Sequence, residues 1–246
     1  MIFVIVLIIT AVRIKSMDSH RISGRILAEN IAGPGMLRLV EQSMQSRAQK
    51  TSVTEIAVKE RKHPQAALTF DDGPDIRYTP LLLDGLKERN VRVSFFLLGE
   101  KVEQYPELVE RMQKEGHLVG NHTYHHVQLN KLNETKAREE ILKTNNLIYE
   151  TTGVYPLYLR PPFGAWKKNL ELCVEMLPVF WTIDTLDWKV QNTEKIVRTV
   201  QEKIEDGAII LMHDEYDTSV EAALQVVDEL KNQGYELVTV DQLILP

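Results

Sequence analysis

Five short stretches of the chain carry residue types suited to acid–base and metal chemistry. Asp71 and Asp72 stand side by side ahead of Gly73-Pro74. Adjacent carboxylates resist double ionisation unless a cation lies near, so one suits a metal ligand and the other a general base. The plain alternative is a solvated turn, because Asp-Gly-Pro is turn chemistry in its own right. His122 and His126 lie four apart in His122-Thr123-Tyr124-His125-His126. One helical turn predicts both imidazoles on one face. That spacing suits a divalent ion, with a carboxylate as third ligand and water in an open position. His125 competes with His126 for the role, and a histidine-rich surface loop is the alternative. No Glu stands second in the run, so this is not the helical metalloprotease pattern.

Arg160-Pro161-Pro162-Phe163-Gly164 follows. Two prolines stiffen the loop, and Arg160 keeps its charge and can hold a base carboxylate ionised and oriented. The N–H groups of Phe163 and Gly164 stay free to donate. Asp184-Thr185-Leu186-Asp187-Trp188 and Ile209-Ile210-Leu211-Met212-His213 complete the set. A His closing an apolar strand suits a general acid. An Asp within reach raises its pKa. Trp188 offers a flat apolar wall for a sugar. Taken alone, His213 reads as a core histidine.

These groups need a scaffold that points them at one place. Ala66–Phe70 reads as a strand, Tyr78–Asn90 as a helix and Val91–Leu98 as a strand. Helices are predicted at Tyr105–Glu115, Leu132–Thr151, Lys168–Met176, Thr193–Glu205 and Ser219–Asn232. Strands are predicted at His117–Gly120, Leu157–Arg160, Val179–Ile183, Gly207–Met212 and Glu236–Val240. The alternation predicts a parallel sheet with crossover helices. Its length fits an α/β fold of the incomplete (β/α) barrel type, with seven or eight strands. Asp71, Asp72, His122, Arg160, Asp184 and His213 all fall at predicted strand ends, the rim where barrel enzymes build active sites.

The 246 residues are 43% hydrophobic and 26% charged, ordinary globular values that exclude wholesale disorder. Lys plus Arg is 29 against 35 Asp plus Glu, a formal charge of −6. The first 60 residues hold 8 basic and 5 acidic residues, so the remainder carries −9. That balance argues against nucleic acid as a partner. Cys173 is the one cysteine, which excludes an intrachain disulfide and a Cys-based zinc site. Ile2 to Ile9 is unbroken apolar sequence, extended to Val12. A helix there would reach about 16 Å, against roughly 30 Å of hydrocarbon. It has the length of a signal-peptide apolar region without the basic start. A start further upstream, a short signal anchor and a buried strand are the readings, and export or membrane anchoring through residues 2–12 is favoured. Residues 1–12 are therefore taken as a signal or anchor. Residues 13–63 form a stem or linker, with a short helix at Leu37–Met44. Residues 64–246 form the domain with the chemistry.

The ordered set Thr69-Phe-Asp-Asp-Gly-Pro74, His122-Thr-x-x-His126, Arg160-Pro-Pro-Phe-Gly164, Asp184-x-x-Asp187-Trp188 and Leu211-x-His213 resembles the five motifs of the NodB-homology polysaccharide deacetylases, carbohydrate esterase family 4. The resemblance covers about residues 64–246, and the five motifs in order are highly specific. It implies a distorted, TIM-like (β/α) barrel and metal-dependent removal of acetyl groups from sugars. It further implies Asp71 as base, Asp72, His122 and His126 as metal ligands, and Arg160 as the group positioning Asp71. By the same resemblance, His213 is the acid tuned by Asp187, and Trp188 and Leu211 shape the acetyl pocket. The family often has Tyr where this chain has Phe163. The role implied there is a backbone N–H, which the change leaves intact.

The expected activity is extracytoplasmic deacetylation of N-acetylglucosamine in an acetylated glycan, peptidoglycan first, with chitin or poly-N-acetylglucosamine as alternatives. Zinc is the expected metal, with cobalt, nickel or manganese fitting the same donors. A non-catalytic glycan-binding barrel would have lost a base, acid or ligand, and none is missing. A hydrolase of small amides would need a closed pocket rather than an open cleft.

Overall fold

The computed structural model describes residues 63–166 and 176–244. The expected apolar segment at 1–12, the helix at Leu37–Met44, Cys173, nearly all of the stem and all but the end of the helix at Lys168–Met176 lie outside the described residues.

The organising strand is β1 (Gln65–Asp71). Its alternation is strict: Ala66, Leu68 and Phe70 pack outward against helices. Ala67 joins an inner cluster with Phe96, Tyr158, Val179 and Val240, so Thr69 and Asp71 share its inward parity. Helix α1 (Thr79–Glu88), with a proline in its first turn, buries Leu82, Leu83 and Leu86 against the outer face. Each such leucine contributes roughly 1.5–3 kcal/mol. Strand β2 (Ser94–Leu97) follows, then α2 (Gly99–Gln104) and α3 (Pro106–Lys114). Strand β3 (Leu118–Asn121) leads into the long α4 (Glu134–Thr152). The Asn133 side chain caps the N-terminus of α4, accepting from the Lys136 N–H, and Gly153 ends the helix with φ 72°.

The second half holds β4 (Tyr158–Leu159), β5 (Leu177–Pro178) and β6 (Ile183–Asp184). The short α5 (Asp187–Val190) and α6 (Thr193–Lys203) precede β7 (Ala208–His213). Helix α7 (Asp217–Asn232), β8 (Glu236–Leu237) and α8 (Val240–Ile244) close the described chain. All strand pairings are parallel, in the order β5-β4-β3-β2-β1-β7-β6, with β8 on the start of β1. The sheet curls into an incomplete (β/α) barrel, as the alternation led one to expect.

Some boundaries differ from expectation. Val179–Ile183 is not one strand. Leu177 and Val179 donate to the carbonyls of Leu157 and Leu159, beside and within β4, whereas Thr182 and Ile183 engage β7. The four residues between β5 and β6 thus carry the chain from one edge of the sheet to the other. Glu236–Val240 is a two-residue strand, and Val240 begins a helix. Helix α2 is an addition that its single buried valine, Val102, left without a readable stripe. No helix of the described residues is long and apolar enough to cross a membrane.

Candidate active site

The inward parity of β1 and β7 builds the centre of the site. Asp71 pairs in register with His213, so the two side chains leave neighbouring strands on the same face. Asp72 continues in the left-handed region, with φ 68°. That departure from strand geometry turns a second carboxylate toward the cavity that Asp71 faces. Asp71 Oδ1 accepts a 2.7 Å hydrogen bond from Arg160 Nη1, which also donates to Thr69 Oγ1 at 2.6 Å. Thr69 in turn donates to the Ile210 carbonyl. Arg160 is 0% exposed, and its guanidinium lies 4.2 Å from the Phe96 ring centroid. The buried charge is thus paired and clamped, which fixes the carboxylate it serves.

His122, His126 and Asp72 converge. Their nearest ligand atoms all lie within 4.8 Å of one another, a group able to hold a metal ion. Asp72 Oδ1 stands 3.4 Å from His122 Nε2 and 3.3 Å from His126 Nε2. That oxygen is buried and accepts no hydrogen bond. His122 Nδ1 lies 2.6 Å from the Arg160 carbonyl, which can only accept. The proton therefore sits on Nδ1, and the Nε2 lone pair faces Asp72. An orphaned carboxylate oxygen between two imidazole nitrogens fits a divalent cation of the zinc class.

Residues 122–126 do not form the expected helical turn. Thr123 and His126 both take positive φ, 66° and 54°, and an irregular loop brings the two rings to 5.1 Å between centroids. His125 points away, its Nδ1 2.8 Å from Glu140 Oε1, so the loop brings His126 rather than His125 to Asp72. Asn121 supports the loop from below. Its Oδ1 accepts from the Thr123 N–H, and its Nδ2 donates to the Ile141 carbonyl and to Asn145.

On the opposite side, His213 Nδ1 lies 2.8 Å from Asp187 Oδ1, and the His213 N–H donates to Asp187 Oδ2 at 2.7 Å. Asp187 is 0% exposed. Burial opposes an imidazolium at His213, but the Asp187 carboxylate, with Asp71 and Asp72 behind it, pushes its pKa up to about 9. Burial moves His126 the other way, below its ordinary value. Burial raises Asp72, yet the facing imidazoles, His122 foremost, hold it well below the usual carboxylate range. Histidines driven apart in this way mark distinct roles: a neutral ligand and a charged proton donor.

The cavity in front of these groups has a volume of about 490 Å³ and is open to solvent. Phe163, Trp188, Leu211, Trp181, Tyr216 and Glu215 help line it, with Asp184 at the rim. Phe163 is 62% exposed and takes φ 59°. Among the described residues its N–H donates to no other group. Trp188 is half exposed, whereas Leu211 is buried in the wall. The structure thus brings Asp71, Asp72, His122, His126, Arg160, Asp187, His213, Phe163, Trp188 and Leu211 to one site.

Sequence reasoning passed over several residues here. Thr69 anchors Arg160, and the period of two that places Asp71 inward also places Thr69 there. Trp181 and Tyr216 wall the cavity without any local signal. Asp214 lies fully buried under the turn after Asp72 and accepts a hydrogen bond from Thr79 Oγ1. A Cβ on Gly73 would sit 2.5 Å from its Oδ1, so this turn needs glycine. Burial pushes the Asp214 carboxyl up to about 7.

A family model of polysaccharide deacetylases matches residues 58–179. Over 185 residues the chain is 42% identical to the peptidoglycan-N-acetylglucosamine deacetylase PgdA of Listeria monocytogenes. That match covers 75% of this chain and 40% of PgdA, so the chain spans well under half of that relative. A peptidoglycan-N-acetylglucosamine deacetylase of Bacillus cereus is 40% identical over 186 residues, 73% of this chain and 68% of the relative. The solved structure of the peptidoglycan deacetylase PdaC from Bacillus subtilis superposes with a TM-score of 0.72 at 41% identity. It covers 74% of this chain and 91% of that one.

Proposed function

The chain belongs to the polysaccharide deacetylase family, and on that premise we propose that it removes N-acetyl groups from N-acetylglucosamine units of peptidoglycan, releasing acetate. One observation carries the reading. A carboxylate held by a buried arginine and an imidazole held by a buried carboxylate flank one Asp-His-His cluster in one open cavity.

Asp72, His122 and His126 would hold a divalent ion, zinc or alternatively cobalt, nickel or manganese. When bound, such an ion polarises an acyl oxygen and acidifies water. Asp71, oriented by Arg160, takes the proton from the attacking water. The water oxygen bonds to the acyl carbon, and the carbonyl electron pair moves onto its oxygen, toward which the Phe163 N–H can donate. As the carbon–nitrogen bond breaks, the His213 imidazolium gives its Nε2 proton to the departing amine. Acetate and a glucosamine unit result. Trp188 provides a wall for the sugar ring, and Leu211 an apolar surface for the acetyl methyl.

The substrate is a polymer, and a cavity open to solvent accommodates one better than a closed pocket. The reaction then belongs outside the cytoplasm, where peptidoglycan lies, with residues 2–12 as export signal or membrane anchor. The test offers the full-length protein peptidoglycan, chitin oligomers and poly-N-acetylglucosamine in parallel, reading acetate and new free amines. Highest kcat/KM on peptidoglycan supports the proposal. Preference for another polymer overturns the substrate, and no acetate from any of them, with metal bound, favours a glycan-binding role.

A further inference from the structure

The His122–His126 loop is irregular, with two residues at positive φ, and such a conformation persists only when its surroundings over-determine it. Its carbonyls and its N–H groups are gripped from different elements. The N–H groups of Gly99 and Glu100, opening α2, donate to the carbonyls of Thr123 and Tyr124 at 2.9 and 3.3 Å. Asn121 at the end of β3 accepts from the Thr123 N–H, and the next two N–H groups fall to a single side chain on α4. Glu140 Oε2 accepts from the Tyr124 N–H at 3.0 Å and the His125 N–H at 2.9 Å. Its other oxygen meets His125 Nδ1 at 2.8 Å.

We propose that Glu140 is a positioning residue that sets the metal affinity of this site by holding the loop between His122 and His126 in its ligating shape. Glu140 touches neither ligand imidazole. It acts through two of the three backbone N–H groups that lie between the ligands in sequence, those of Tyr124 and His125. This inference rests on the reading of Asp72, His122 and His126 as a metal site. Without the acceptor, two N–H groups lose their partner and the loop can relax toward other conformations, carrying His126 away from Asp72. Gln retains the geometry, since one amide oxygen at the Oε2 position accepts both N–H groups and its NH₂ can donate to His125 Nδ1. Ala removes the grip, and Asp retains the charge one methylene too short.

The test is metal binding rather than turnover. Full-length wild type, Glu140→Ala, Glu140→Asp and Glu140→Gln are stripped with a chelator and titrated with cobalt(II). Visible absorption reports the ligand geometry, and competition with a chelator gives the Kd. Wild type should bind one equivalent. Ala should weaken binding about tenfold or more, the scale seen when groups orienting a ligand are lost, and should alter the spectrum. Asp should do likewise, and carries the test if the Ala variant fails to fold. Gln should stay close to wild type, a rescue that a general loss of stability would not produce. Unchanged Kd and spectrum in Ala or Asp overturn the role of Glu140, and Gln as weak as Ala overturns the hydrogen-bond argument. A wild-type chain that binds no metal overturns instead the metal reading on which the inference stands.

Discussion

Replacing Asp187 by Asn should move the alkaline limit of turnover toward acid. In the folded protein, burial alone would leave His213 neutral, and the Asp187 carboxylate at 2.8 Å is the main force that raises its pKa to about 9. The amide keeps the shape but removes the charge. His213 then falls toward its ordinary value of 6.5, a change of roughly 3 kcal/mol in favour of the neutral ring. At pH 8 about nine-tenths of wild-type His213 carries the proton, against roughly 3% in the variant, so kcat/KM should drop about thirtyfold there. Near pH 5.5 both proteins carry the proton, and the gap should narrow. The assay is acetate release from an N-acetylglucosamine oligomer across pH 5 to 10 with metal held in excess. An alkaline limb that stays in place, or an equal loss at every pH, would refute His213 as the proton donor tuned by Asp187.

Asp71→Asn should lower kcat by about 10² to 10⁴ while metal binding, followed by titration of the stripped protein, persists; retained turnover would remove Asp71 as base. His126→Ala should abolish tight metal binding and His125→Ala should leave it in place, because His125 faces Glu140 rather than Asp72. Asp214 makes stability depend on pH. Its carboxyl ionises near 3.8 when unfolded but keeps its proton to about 7 when folded. The folded state therefore binds the extra proton between these values. Its contribution to stability is full below about pH 4 and is lost as pH rises through about 7. Thermal melting from pH 4 to 8 should show a decline that flattens in Asp214→Asn.

Much of this was legible because the fold's grammar is local. Ala66–Phe70 is a short apolar run that ends in Asp-Asp-Gly-Pro, so a strand closed by a turn could be read directly. The apolar stripe of Leu82, Leu83 and Leu86 marked α1 in the same way. Strands β4, β5, β6 and β8 have two residues each, too few for a period to register. What looked like one strand at Val179–Ile183 is a passage between two sheet edges, a distinction set by partners distant in sequence. The His122–His126 spacing suggested a helix face, yet the rings meet through left-handed residues stabilised by Asn121, Glu140 and the start of α2. Spacing identified the ligand types, while tertiary contacts decided the backbone. Glu140 sits on α4 amid other charged residues, and nothing in its neighbourhood sets it apart from a solvated position.

The most direct test is the metal dependence of acetate release. The full-length protein is stripped with a chelator, and zinc or cobalt is returned stepwise while acetate from peptidoglycan is measured. Turnover should vanish in the stripped protein and rise to a plateau at one equivalent. Turnover that survives complete stripping, or a fully loaded protein that releases no acetate, would contradict the account.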